Sequence, residues 1–227
     1  MKDNTSFNLI KKNIYNILIL LVCVFVIIPC ILFILKGKKQ EGMENNNKNS
    51  KLFLPSYYFE FRNNTKNEIV YDMIHNKIAA TPMKEANSSN EGMYLNGVDQ
   101  YIELDQIELG GEDITFEIYA HYNAFNTWSR LFDFGNGPGI ENIILANYGL
   151  TNTLFAGVID SSRRNWGPLY GSQKLQYKWQ HIIYSVSKIN GRRLYIDGKL
   201  CGTNLNYGLP RKLKRVNHYL GKSAWMS

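Results

Sequence analysis

The stretch "DITFEIYA" places Ile114, Phe116, Ile118 and Ala120 on one side of an extended chain and Thr115, Glu117 and Tyr119 on the other. Successive side chains of a strand point to opposite faces, so a period of two specifies a strand with one packed and one exposed face. The same texture recurs in "YYFEFR", "GMYLNG", "QYIEL", "SRLFDFG", "NIILAN", "TLFAGVID", "WQHIIYSVS", "RRLYIDG" and "HYLG". Turn residues separate these segments. Asp197-Gly198 reads as a two-residue hairpin turn, which needs positive φ that Asp and Gly tolerate. Gly97, Gly110-Gly111, Gly135 to Gly139 and Asn190-Gly191 punctuate the rest. No stretch beyond Leu35 carries a helical period. The expected fold is therefore all-β, an antiparallel two-sheet sandwich.

Before the strands lies a different kind of segment. Residues 14–35, "IYNILILLVCVFVIIPCILFIL", are free of charge, and at about 1.5 Å per residue they span the ~30 Å hydrocarbon layer as one transmembrane helix. A cleaved signal peptide fits less well, because the apolar run exceeds a signal core of roughly 7–15 residues and "KGKK" follows instead of a small-residue cleavage site. Lysines flank both ends, so the positive-inside rule nearly cancels. The glycosylation acceptors Asn63 and Asn87 place the C-terminal domain on the extracytoplasmic side. Residues 1–13 are then an N-terminal tail, residues 36–50 a polar stalk, and residues 51–227 the sandwich.

Charge and cysteine content remove other classes. The net charge of +7 is spread along the chain, with 7 Lys against 3 Asp/Glu in residues 1–50 and 19 Lys/Arg against 16 Asp/Glu thereafter. Neither part is strongly basic, and no nucleic-acid-binding motif accompanies the excess, so nucleic acid is not an expected partner. Cys23 and Cys30 lie in the apolar run, leaving Cys201 alone in the sandwich, where no intrachain disulfide can staple the fold. Hydrophobic content of 44% with 13% aromatic supplies a core instead. Abundant Asn, Lys and Ile is the composition of an AT-rich genome, such as that of a large DNA virus or a protist.

The segments "FEFRNNTKNEIVYDMIHNKIA", "GMYLNGVDQYIEL", "GGEDITFEIYAHY", "WSRLFDFGN", "WQHIIYSVSKINGRRLYIDGKLCG" and "YLGKSAW" resemble, in that order, the strands of laminin-G-like domains in the concanavalin A-like lectin and glucanase superfamily. The resemblance runs from about Leu54 to Trp225. It implies a curved jelly-roll sandwich used in carbohydrate binding or adhesion. Tyr119 stands where such domains commonly have Trp. The family also follows its "LG" strand with a Gly-rich turn and a closing strand, whereas this chain stops at Ser227. The sandwich is expected to lack that strand, as a fragment or truncated frame would, and to present an unpaired edge that invites pairing with another chain.

Candidate sites follow from this frame. Glu103, Asp105 and Glu108 in "YIELDQIELGG" have the carboxylate spacing of a laminarinase-type hydrolase, whose retaining mechanism needs two carboxyl groups ~5–5.5 Å apart. Glu103 and Asp105 share a face of the strand, but Glu108 is an odd number of residues away and points oppositely unless a bulge intervenes. Ile102 and Leu104 take the packed face, so the acidic residues read as the outer face of a strand and a membrane-anchored glycoside hydrolase is the rival to a noncatalytic binding module. A structural surface domain without a sugar site is a third alternative. For a binding module, Arg163, Arg164, Asn165, Trp166 and Tyr170 in "DSSRRNWGPLYGSQ" offer cationic, amide and stacking contacts, and Trp128 with Asn126 offers a second locus. The alternative for Trp166 is a lid over the core end, with the arginines solvated. Trp179, at the head of an alternating strand, reads as core. The run "RKLKR" at 211–215 reads as a solvated loop, or as a contact for sulfated glycans. The four histidines show no metal spacing, and no cofactor is expected. The resemblance admits calcium, but no acidic cluster has oxygen-ligand spacing and no metal site is assigned. Carbohydrate or protein is the expected ligand, with the bilayer as partner of residues 14–35.

Overall fold

A computed structural model describes residues 54–62, 68–161, 167–206 and 208–225, those from Pro55 onward within a compact unit spanning Pro55–Ser227. The expected tail, membrane span and stalk, and the acceptor Asn63, lie outside the described residues. Among the described residues no helix is long and apolar enough to cross a membrane.

The chain forms β1 (Val70–Tyr71), β2 (Ala79–Met83), β3 (Asn87–Ser88), β4 (Met93–Tyr94), β5 (Tyr101–Leu104), β6 (Glu108–Leu109), β7 (Ile114–His121) and β8 (Arg130–Gly135). It continues through β9 (Ile143–Asn147), β10 (Thr153–Val158), β11 (Leu169–Lys174), β12 (Trp179–Ser187), β13 (Gly191–Ile196), β14 (Lys199–Asn204), β15 (Leu213–Lys214) and β16 (Asn217–Leu220). All pairings are antiparallel. A large sheet runs β1-β2-β5-β16-β8-β9-β10-β11, and a smaller one runs β14-β13-β12-β7. Two short ribbons, β15-β6 and β3-β4, complete the set; β3 carries the acceptor Asn87, which is exposed.

Two sheets pack because each has one apolar face to remove from water, at roughly 1.5–3 kcal/mol per buried large aliphatic or aromatic side chain. Ile182, Tyr184 and Val186 of β12 and Leu194 and Ile196 of β13 meet Phe132, Phe134, Leu145, Leu154 and Ala156 of the large sheet in one core. Phe116 of β7 joins this core, its ring 4.7 Å from that of Phe132. The Asp197-Gly198 turn forms as expected, with φ of 50° and 75°. On β7 the alternation is also as expected, Thr115, Glu117 and Tyr119 facing outward.

Two expectations are corrected. "YYFEFR" runs extended and packs Phe59 and Phe61 against the core, but it joins no ladder. Its backbone turns to a loop instead, with the Tyr58 N–H donating to Asp72 at 2.8 Å and the Tyr58 carbonyl accepting from Met73 at 2.8 Å. Trp179 is not core. It shares the outer face of β12 with His181 and Ile183 while Gln180 and Ile182 point inward, and its ring stacks on Tyr119 at 5.1 Å.

The "RKLKR" run is largely engaged within the fold. Arg215 is fully buried, donating to the carbonyls of Glu141 (2.6 Å), Leu109 (2.9 Å) and Arg211 (3.3 Å). Burial lowers its pKa to about 10, so it stays charged at neutral pH. Arg211 pairs with buried Glu141 at 2.9 Å, and Lys212 with Glu108 at 3.6 Å. One guanidinium thus ties the loops at Glu141 and Arg211 to the end of β6, and the carbonyls in irregular backbone, which have no ladder to satisfy them, find their donor in it. Arg215→Met, which keeps the bulk and removes the donors, is expected to cost about 3 kcal/mol, read as a shift of the urea midpoint at unchanged slope.

His218 stands on β16, also fully buried, with Nε2 3.1 Å from the Ile107 carbonyl. Burial, together with the charges of Arg215 and Lys214, lowers its pKa to about 4 from an unfolded value near 6.5. Between those values the unfolded chain binds a proton that the folded chain refuses. The folded state therefore keeps its full stability above about pH 6.5 and loses up to about 3 kcal/mol as pH falls toward 4. In His218→Gln the slope of unfolding free energy against pH across this window should drop by close to one proton, a difference that denaturant titrations at pH 6.5, 5.5 and 4.5 will resolve.

Candidate binding surface

The outer face of the large sheet is the place where the fold concentrates functional side chains. Cross-strand register aligns Thr81, Glu103, Tyr219, Asp133 and Ile144 in one row. A second row runs through Arg130, Ala146, Phe155 and Tyr170. Half of this face is itself packed. Ile144, Ala146, Phe155 and Ile159 form a second buried cluster, with Trp128 against it.

Trp128 and Tyr170, distant in sequence and read as separate loci, meet here. The Trp128 ring lies 4.9 Å from Tyr148 and 5.1 Å from Phe155, both edge-on. Tyr148 in turn stands edge-on to Tyr170 at 5.1 Å, and Phe155 is 5.6 Å from Tyr170. Edge-to-face contacts at these separations are the favourable geometry for aromatic quadrupoles. Tyr148 and Tyr170 remain 41% and 45% exposed, so their rings are available to a ligand.

The loops beneath are pinned. Asn147 is fully buried, and its amide nitrogen lies 3.0 Å from the Asn126 carbonyl, 2.8 Å from that of Gly149 and 2.9 Å from that of Thr151. Trp128 itself has φ of 55°, a left-handed conformation that costs a bulky residue of order 1–3 kcal/mol and persists only where the surroundings enforce it. The enforcing bonds are Trp128 N–H to the Gly149 carbonyl at 2.9 Å and Arg130 Nη1 to the Trp128 carbonyl at 2.8 Å.

Arg130 organises this face more than it meets solvent, its side chain being only 8% exposed. Its guanidinium sits 5.7 Å from the Trp128 ring and 5.6 Å from that of Trp225, between two indoles. Asp133 holds it from below: Arg130 Nε donates at 3.4 Å, Asn142 Nδ2 at 2.9 Å and the Ala224 N–H at 2.9 Å. Burial raises the Asp133 pKa, against these donors. The Ala224 bond draws residues 221–225 back over the sheet and sets Trp225, 40% exposed, beside the aromatic cluster. Nearby, the Lys222 ammonium lies 4.1 Å from the Tyr101 ring and 4.7 Å from that of Tyr219.

Of the other candidates, Arg163, Arg164, Asn165 and Trp166 lie outside the described residues. Glu103 and Asp105 line a shallow open depression with Thr81, Met83, Gln106 and Lys214. Glu108 does not line it; it stands on β6, which pairs with β15 in a separate ribbon, and its carboxylate faces Lys212. The hydrolase arrangement would need Glu108 brought beside Glu103, and the bulge that could do so is replaced by a break between β5 and β6. Among the described residues no three His, Cys, Asp or Glu side chains gather closely enough to hold a metal ion.

Tyr148, Asn147, Arg130, Asp133 and Trp225 were not singled out from sequence. The signal for them lies in "NIILAN" and "TLFAGV", which are continuously apolar where a strand with a wet face would alternate. Every residue of β9 is buried. A strand buried on both sides announces that something covers its outer face.

A laminin G family model, described as the concanavalin A-like lectin/glucanases superfamily, matches residues 96–227, more than half of the chain. Among curated proteins none matches.

If Asp133 is the post that holds the returning segment, Asp133→Ala should release it. The Ala224 amide is expected to lose about tenfold or more in hydrogen-exchange protection, since bonds to a charged acceptor contribute roughly 1.5–3 kcal/mol, while the amides of β12 should keep theirs.

Proposed function

The chain belongs to the concanavalin A-like lectin/glucanases superfamily, and from that premise we propose that it is a noncatalytic binding module, held at a membrane by residues 14–35 with its sandwich on the extracytoplasmic side, that recognises glycan through the outer face of the large sheet. The observation that carries this reading is Trp128, held in a left-handed backbone at the edge of an aromatic cluster whose Tyr148, Tyr170 and Trp225 rings stay accessible. Sugars present flat apolar C–H faces edged by hydroxyls. Rings fixed by a rigid sheet can stack on those faces with little ordering cost, and the phenolic hydroxyls and buried polar groups around them supply direction. Arg130 and Asp133 act as positioning residues for the two indoles.

The test is a glycan array probed with the full chain in detergent micelles, with and without EDTA. Selective binding is expected, and it should persist in EDTA. Trp128→Ala and Tyr170→Ala should each weaken the best glycan about tenfold or more. Tyr195→Ala, on the outer face of the opposite sheet, should leave it unchanged. A blank array from folded protein would remove the glycan reading and leave a protein ligand for the same surface.

A further inference from the structure

We propose that Asn87 carries an N-linked glycan whose innermost sugars pack on an aromatic floor made by Tyr94, Trp179 and Tyr119. The proposal rests on the extracytoplasmic orientation inferred above, since only there does a chain meet the lipid-diphosphate-linked oligosaccharide that modifies Asn-x-Ser/Thr. Asn87-Ser88-Ser89 is such a sequence, and Asn87 is exposed on β3. In the transfer a bond forms between Asn87 Nδ2 and C1 of the first sugar as the C1–oxygen bond to the lipid diphosphate breaks. The amide gives up one proton, and the diphosphate departs with the bonding electron pair.

The β3–β4 ribbon decides where those sugars lie. Asn87 pairs directly with Tyr94, and Ser88 with Met93. Met93 and Leu95 pack against the main core and Ala86 is fully buried, so alternation puts Asn87 and Tyr94 together on the opposite face of the ribbon. Tyr94 is 56% exposed there, with its Cβ about 5 Å from that of Asn87. The Ser89 N–H donates to the Gly92 carbonyl at 2.8 Å and extends the ribbon by one bond. Gly92, two residues before Tyr94, shares its face, and a Cβ built there would come 3.3 Å from Cη2 of the Trp179 indole. Diagonal neighbours in such a ribbon are about 7–8 Å apart, a span that the innermost sugars of a glycan on Asn87 cover.

The floor suits a sugar. Trp179 and Tyr119 stack 13° from coplanar with their centroids 5.1 Å apart, yet Tyr119 is 65% exposed. His121, paired with Trp179 across β7 and β12, meets the indole edge-on at 5.8 Å and fixes its tilt. Beside the stack, His181 and Glu117 bond at 2.7 Å and supply polar groups at its margin. Flat apolar surface flanked by hydrogen-bonding groups matches the C–H face and hydroxyls of a pyranose ring. A sugar already tethered at Asn87 docks intramolecularly, so stacking too weak to hold a free monosaccharide suffices to order it.

The experiment compares the full chain made in a eukaryotic secretory host, with isotope-labelled N-acetylglucosamine, with the same chain made in bacteria that add no glycan, both in detergent micelles. Mass spectrometry is expected to find carbohydrate at Asn87. Ring currents should move the C–H proton resonances of the innermost sugars upfield of their positions in the free oligosaccharide. The glycosylated chain should unfold about 2–4 °C above the bacterial one, and that difference should vanish in Trp179→Ala. Should Trp179→Ala fail to fold, Tyr119→Ala takes its place, and the resonance shift in wild type needs no variant. Carbohydrate at Asn63 with none at Asn87 would overturn the proposal while leaving the orientation standing. Neither acceptor modified, with the sandwich open to protease from the cytosolic side of intact microsomes, would overturn both. A glycan on Asn87 with unshifted resonances and no difference in unfolding temperature would overturn the packing and the proposal with it.

Discussion

The large sheet must satisfy two faces with one set of strands, and most of the architecture follows from how it does so. Toward the small sheet it presents Phe132, Phe134, Ile143, Leu145, Leu154 and Ala156 to the main core. On its other side Ile144, Ala146 and Phe155 also avoid water. Without a third layer of secondary structure among the described residues, that second apolar strip can only be covered by loops and by the returning segment at 221–225. Loops over apolar surface need their backbone groups satisfied. Asn147, Arg130 and Asp133 do this, between them bonding the carbonyls of Asn126, Trp128, Gly149 and Thr151 and the amide of Ala224.

This division decides what could be read from the sequence. β7, β12 and the Asp197-Gly198 hairpin are local objects, set by period two and turn chemistry, and they form where those signals lie. The candidate surface is not local. Arg130 reaches Phe155 and Tyr170 only through the Arg130–Ala146, Ala146–Phe155 and Phe155–Tyr170 pairings, and no spacing along the chain encodes that row. Trp128 and Tyr170 were recognisable as residue types suited to stacking, but their meeting was not. Trp179 and "YYFEFR" fail for a related reason. Alternation says that two faces differ without saying which one is buried when the boundary residue is amphipathic, and it cannot supply an extended segment with a neighbour to pair with.

Buried ions explain why charge counting says little about partners here. Two members of "RKLKR" are spent on structure: Arg215 is fully buried and Arg211 is tied to Glu141. Leaving either partner of such a set alone in the interior costs far more than the set contributes as a whole, so these residues define loop geometry and are poor candidates for ligand contact. The net charge of +7 therefore overstates the cationic surface available to a polyanion. Among the described residues of this face, the exposed and chemically distinctive groups are the Tyr148, Tyr170 and Trp225 rings.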